Sequence, residues 1–192
     1  MNTLFRCLAL FPLLALMAAC CANNPCNCND LQADSIYLTL KSVASSPADT
    51  TSFSTSELDT VYLQRYSPLP PSTLSDPVVI LRAQRVNRAQ KALLMSAGLD
   101  TTTVIISNTS PFLPSTTGGN LKAYNYLLTV RDGKRGSNAY RFRITNIHLN
   151  GKYKADGCCT CYQNTYKSFQ VNGDSLVATE TMGKPIPFIL KK

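Results

Sequence analysis

The chain has 192 residues, 44% of them apolar, and 19 lysines and arginines stand against 11 acidic residues for a formal charge of +8. That length suits one domain of ordinary size with a core of its own, needing no outside support. The sequence has no tryptophan, which argues against a carbohydrate platform built on indole rings.

The chain opens with a short polar segment carrying Arg6, followed by an apolar run from Cys7 to Ala19 that only Pro12 interrupts. As a helix this run covers ~20 Å, short of a ~30 Å hydrocarbon core, so it reads as an export signal and not as a membrane span. It ends in Leu16-Met17-Ala18-Ala19-Cys20. This segment resembles the lipobox of bacterial lipoproteins, with Met17 where that family prefers leucine. The resemblance covers these residues alone. It implies cleavage before Cys20 and a diacylglycerol on the Cys20 thiol. Cys21 offers a second register, and an ordinary secretory signal cut near Ala19 or Ala22 is the competing interpretation. Two or more acyl chains, at ~0.8 kcal/mol per buried methylene, hold a protein on a membrane where one chain does not. Residues 1–19 are thus expected to be a signal, 20–34 a lipidated tether bearing cysteines, and 35–192 the folded domain.

The domain begins with a period-two strand, in which Ile36, Leu38 and Leu40 alternate with Tyr37, Thr39 and Lys41. Residues 42–59, rich in Ser, Thr, Pro and Asp, read as a loop. Val61–Tyr66 is a second strand. The Val78–Ala83 run is apolar on both faces near its start and reads as a central strand. A short helix is expected over 84–97, since Ala83, Val86, Ala89, Leu93 and Leu94 have helical spacing and Gly98 follows. Further strands are expected at Thr102–Ser107, Lys122–Val130, Tyr140–Leu149, Tyr166–Val171 and Ser175–Glu180. Asn150-Gly151 and Asn172-Gly173 read as tight turns. Ile186–Leu190, marked by Pro185 and Pro187, reads as an edge strand. In the Tyr140–Leu149 strand, Phe142 and Ile144 share one parity while Ile147 and Leu149 share the other. Both pairs reach one core only if a residue is inserted, so a β-bulge is expected near Thr145-Asn146. Many short strands with Gly, Pro and Asn turns imply a mainly β, single-domain antiparallel sandwich, immunoglobulin- or transthyretin-like, with at most that one helix.

Once Cys7 leaves with the signal and Cys20 takes lipid, six cysteines remain. Cys21, Cys26 and Cys28 lie at the start, and Cys158, Cys159 and Cys161 lie in one late segment that reads as a loop. An even set in an exported chain reads first as disulfides. Bonds between the two clusters would close a loop worth ~4–5 kcal/mol and pin the tether to the domain. Which cysteine joins which is open. The alternative is a thiolate metal site, since dense thiolates select Cu(I), Zn or iron–sulfur clusters. Neither cluster has zinc spacing and no histidine is near.

No catalytic motif emerges. His148 stands alone, and with a bulge before it would point to solvent. The acids Asp49, Asp59, Asp76, Asp100, Asp132, Asp156 and Asp174 are single loop residues, with Glu57 and Glu180 apart. Gly118-Gly119 lacks the features of a phosphate cradle, and no Gly-x-Ser-x-Gly elbow is present. The basic residues concentrate at Arg82, Arg85, Arg88 and Lys91, at Lys134 and Arg135, and at Arg141 and Arg143. In an exported chain these suit anionic headgroups or acidic glycans better than nucleic acid. The expectation is a non-enzymatic lipoprotein of the cell envelope, without cofactor, held to a membrane through Cys20 (the outer membrane in a Gram-negative source). It would bind a protein or glycan partner there. A structural assembly role and a thiolate metal-handling role are the alternatives.

Overall fold

A computed structural model describes residues 26, 28, 33–43, 50–69, 78–81, 99, 101–112, 120–131, 139–179 and 185–192. The Leu16–Cys20 segment, Cys21, the expected helix over 84–97 and the Arg82–Lys91 cluster lie outside the described residues.

The strands are β1 (Ile36–Leu40), β2 (Thr60–Tyr66), β3 (Val78–Leu81), β4 (Thr103–Ile106), β5 (Asn125–Arg131), β6 (Ala139–Asp156), β7 (Cys159–Val171), β8 (Asp174–Ala178) and β9 (Phe188–Leu190). They form a single-domain β-sandwich of unequal halves. One sheet has the order β4-β1-β9 and the other β3-β2-β5-β6-β7-β8. All pairs are antiparallel except β1 with β9. In the larger sheet, hairpins join β2 to β3 and run from β5 through to β8.

Alternation supplies the core. Ile36, Leu38 and Leu40 of β1 meet Val61 and Leu63 of β2, Leu128 and Val130 of β5, and Ile144 of β6, all essentially without solvent contact. Phe169 and Phe188 bridge the two sheets edge to face with centroids 4.5 Å apart. Each such side chain contributes ~1.5–3 kcal/mol by leaving water. The strand β1 is buried on both sides, since Tyr37 packs with Leu99 and Ile105 on the face away from the main core. The half-buried strand expected from period two is therefore a covered central one.

Two other expectations change. Among the described residues, the strand β3 lies at an edge, pairing with β2 alone, and Val79 is exposed. Its unbroken apolar run reflects the β-branched Val78, Val79 and Ile80 and not central placement. Asn150-Gly151 makes no turn either. The strand β6 runs through it to Asp156, and the reversal comes at Gly157-Cys158. Gly157, with φ +59°, takes the first of the two turn positions, as a type II′ connection requires. Gly151 is small for another reason, because a Cβ there would collide with the Tyr162 ring on β7. The Asn172-Gly173 turn forms as expected, with both residues at positive φ. Ile189 is exposed on edge strand β9, again as expected.

The bulge is present. Thr145 pairs with Gln170 and His148 with Ser168, so Asn146 and Ile147 together oppose Phe169. Asn146 adopts φ +53°, a left-handed conformation that asparagine tolerates better than most residues. Its amide donates to Gln170 Oε1 at 2.7 Å. Phe142, Ile144 and Ile147 are consequently all buried, and Leu149 packs against the same cluster. Arg141, Arg143 and His148 are exposed on the opposite face.

Candidate functional site at the stapled hairpin

The hairpin β6–β7 is longer than its neighbours. The strand β8 covers β7 only from Lys167 to Val171. Residues 159–166 therefore extend past the last paired strand on that side, among the described residues. This projecting arm is where the N-terminal tether is fastened. Cys26 is bonded to Cys159 and Cys28 to Cys161, with Cα–Cα distances of 5.5 and 5.3 Å. Both bonds span 133 residues, so the tether and the start of β7 run in the same direction. Cys158, in the turn, is also disulfide-bonded. The other described cysteines are bonded to one another, so its partner falls outside the described residues. The inter-cluster pairing expected from the two matched cysteine groups is the one found.

Below the staples the tether enters the domain over a buried polar cluster. A second register shift between Asn150 and Gly151 leaves Thr165 as an extra residue on β7. Tyr162, Asn164, Lys167 and Phe169 can then all face inward. Asp34 Oδ1 accepts hydrogen bonds from the Tyr162 hydroxyl at 3.2 Å and from Asn164 Nδ2 at 2.8 Å. Burial first, then the Asp34 charge and hydrogen bond, raise the Tyr162 hydroxyl above its ordinary pKa, so it stays a donor. Lys167, 1% exposed, donates from Nζ to the Ser35 carbonyl at 2.8 Å and lies 5.5 Å from the Tyr37 ring centroid. A buried ammonium is costly unless it is satisfied. Here the backbone entering β1 and an aromatic face both receive it.

The outer face of the larger sheet is basic. Arg131 on β5 and Arg141, Arg143, Lys152 and Lys154 on β6 are all exposed there, as is His148. The bulge at Asn146 keeps Lys152 and Lys154 on the same side as Arg141 and Arg143. Lys154 is the cross-strand partner of Cys161, and Lys152 of Gln163. The tether is thus bonded to the face that carries these cations. Arg131 stacks 4.8 Å from the Tyr62 centroid.

Of the residues singled out from sequence, four of the six cysteines are paired as described, Cys158 is bonded, and Cys20 and Cys21 lie outside the described residues. His148 stands exposed on β6 across from Ser168. Glu57 is held in a local ring of polar contacts near the C-terminus. It accepts from the Ser54 N–H and hydroxyl at 2.7 and 2.8 Å and pairs with Lys192 at 2.8 Å. Burial opposes its charged form, yet Lys192 and Ser54 hold the carboxyl below its ordinary pKa. No group of three metal-binding side chains occurs among the described residues. Sequence reasoning missed Asp34, Asn164 and Lys167. The one available signal was Asp34 beside Ser35, polar residues directly ahead of an apolar strand. Comparison with protein-family models, with curated proteins and with solved structures found no match.

Proposed function

We propose that this chain is an exported lipoprotein, anchored by lipid on Cys20, whose β-sandwich serves the cell envelope as a non-catalytic binding or accessory module. The observation that carries the proposal is the pair of disulfides from Cys26 and Cys28 to Cys159 and Cys161. Such bonds persist in oxidising, extracytoplasmic compartments, the destination implied by the Leu16–Cys20 segment. The bonded sulfurs are also not thiolates, which favours the structural role of these cysteines over metal handling.

The anchor accounts for the cysteine arithmetic. Cys7 departs with the signal and the Cys20 thiol becomes a thioether, which leaves Cys21 as the partner for Cys158. Three bonds would then fasten the residues immediately after the lipid to one hairpin. The test is metabolic labelling with a fatty acid, together with membrane fractionation, of Cys20→Ser and of the Cys20→Ser/Cys21→Ser control. Loss of label and release from membranes is the expected result. Label and fractionation unchanged in the double variant would refute the anchor.

A further inference from the structure

We infer that the outer face of the β6–β7 hairpin and its neighbour β5 is a docking surface for anionic lipid headgroups of the membrane that holds the anchor. This deepens the lipoprotein proposal and rests on it for the location of the membrane. Three observations converge on that face. It carries Arg131, Arg141, Arg143, Lys152 and Lys154 exposed, with no ion pair to a carboxylate among the described residues. Asp156, near the turn, is the one acidic residue of β6. An exposed tyrosine accompanies the cations, Tyr166, 40% exposed across from Asn150. Tyrosine and lysine together suit the headgroup region, where an amphipathic ring and a flexible ammonium both find partners.

The third observation is the length of the chain leading to the lipid. Only residues 21–25 separate Cys20 from Cys26, a reach of at most ~20 Å when extended. Cys26 is fixed to Cys159 beside the hairpin turn, and Cys161, the next staple, faces Lys154. An acylated Cys20 therefore brings the turn and its lysines within a couple of Debye lengths of the bilayer. The basic column of β6 is then aimed at the surface from which the tether emerges. The bulge is essential to this arrangement. In an unbulged strand Lys152 and Lys154 would stand on the opposite side from Arg141 and Arg143.

The experiment takes the processed protein from cells, reads the N-terminal peptide by mass spectrometry, and mixes the protein with vesicles of phosphatidylcholine, with or without phosphatidylglycerol. Acetylation of each lysine is then followed by peptide. Lys152 and Lys154 should label several-fold more slowly on the phosphatidylglycerol vesicles, and high salt should abolish the difference. Lys191, exposed at the end of β9 in the other sheet, should label equally on both. A Lys152→Glu/Lys154→Glu variant should lose at least about 25-fold in partitioning to phosphatidylglycerol vesicles, at about fivefold per cation. Equal labelling of Lys152 and Lys154 on the two vesicles overturns the surface, as does protection by an acidic polysaccharide but not by lipid. An N-terminal peptide without diacylglycerol defeats the anchor alone. Cosedimentation of that lipid-free protein with phosphatidylglycerol vesicles, and its loss in the double variant, then decides the surface independently.

Discussion

Removing one of the two tether disulfides should cost far less than the length of its loop suggests. Each bond closes 133 residues, for which loss of chain entropy in the unfolded state gives about 5 kcal/mol. The two bonds lie two residues apart on both segments, however. Once one exists, the second closes a ring of roughly six residues, worth only about 2 kcal/mol by the same relation. Cys26→Ala/Cys159→Ala and Cys28→Ala/Cys161→Ala should therefore each destabilise the oxidised protein by about 2 kcal/mol. The survivor still holds the long loop closed. The further ~5 kcal/mol of the long loop itself should appear only when both pairs and Cys158 are replaced, since Cys158 is bonded as well. Guanidinium unfolding followed by circular dichroism measures this, with the slope m rising as cross-links are lost and the unfolded chain expands. A first pair costing as much as the last would show that the bonds do not act as redundant clasps on one segment. No cost even with all of them gone would show that the tether is not held by covalent closure.

Deleting Asn146 removes the extra residue and leaves Phe142, Ile144, Ile147 and Leu149 in unbroken alternation on the core face, so the loss should stay well below the ~3–6 kcal/mol that exposing Ile147 and Leu149 would cost. Asn146→Gly, which suits φ +53°, should be close to neutral by the same denaturation assay. Asp34→Ala strands the buried Asn164 amide and should cost about 1–3 kcal/mol, whereas Ser35→Ala should be neutral or slightly stabilising. The Ser35 hydroxyl is buried with no hydrogen-bond partner among the described residues, so a penalty for both variants would contradict the cluster as drawn. The depressed pKa of Glu57 gives a stabilisation present above the ordinary carboxylate range and lost as pH falls through the lowered value. Stability measured against pH should therefore be flatter on the acid side in Glu57→Gln than in the parent, and identical slopes would refute the pairing with Lys192.

Much of the sandwich was legible because period-two alternation carries its own burial. The bulge was legible as well, since Phe142 and Ile144 conflict in parity with Ile147 and Leu149, and only an insertion reconciles them. The reversal point of the hairpin was not. Asn150-Gly151 and Asn172-Gly173 have the same local chemistry, and what separates them is tertiary. Gly151 lies under the Tyr162 ring, while Asn172 caps a short return onto β6 by accepting from the Arg143 N–H at 2.8 Å. The polar cluster was hidden for a related reason. The extra residue at Thr165 moves Tyr162 and Asn164 onto the inner face, and no apolar mismatch in that stretch announces the shift. The edge placement of β3 was misread because Val78–Leu81 is as apolar as a central strand. The pairing of the cysteine clusters could be expected from their matched spacing, but the choice of Cys159 for Cys26 needed the parallel course of tether and β7.

The most direct measurement is mass spectrometry of the processed protein digested without reduction. One disulfide-linked fragment should contain diacylglyceryl Cys20, Cys21, Cys26 and Cys28 joined to Cys158, Cys159 and Cys161, with Cys26 bonded to Cys159 and Cys28 to Cys161. An unmodified Cys20, or free thiols in the late cluster, would contradict a lipid anchor clasped to the β6–β7 hairpin.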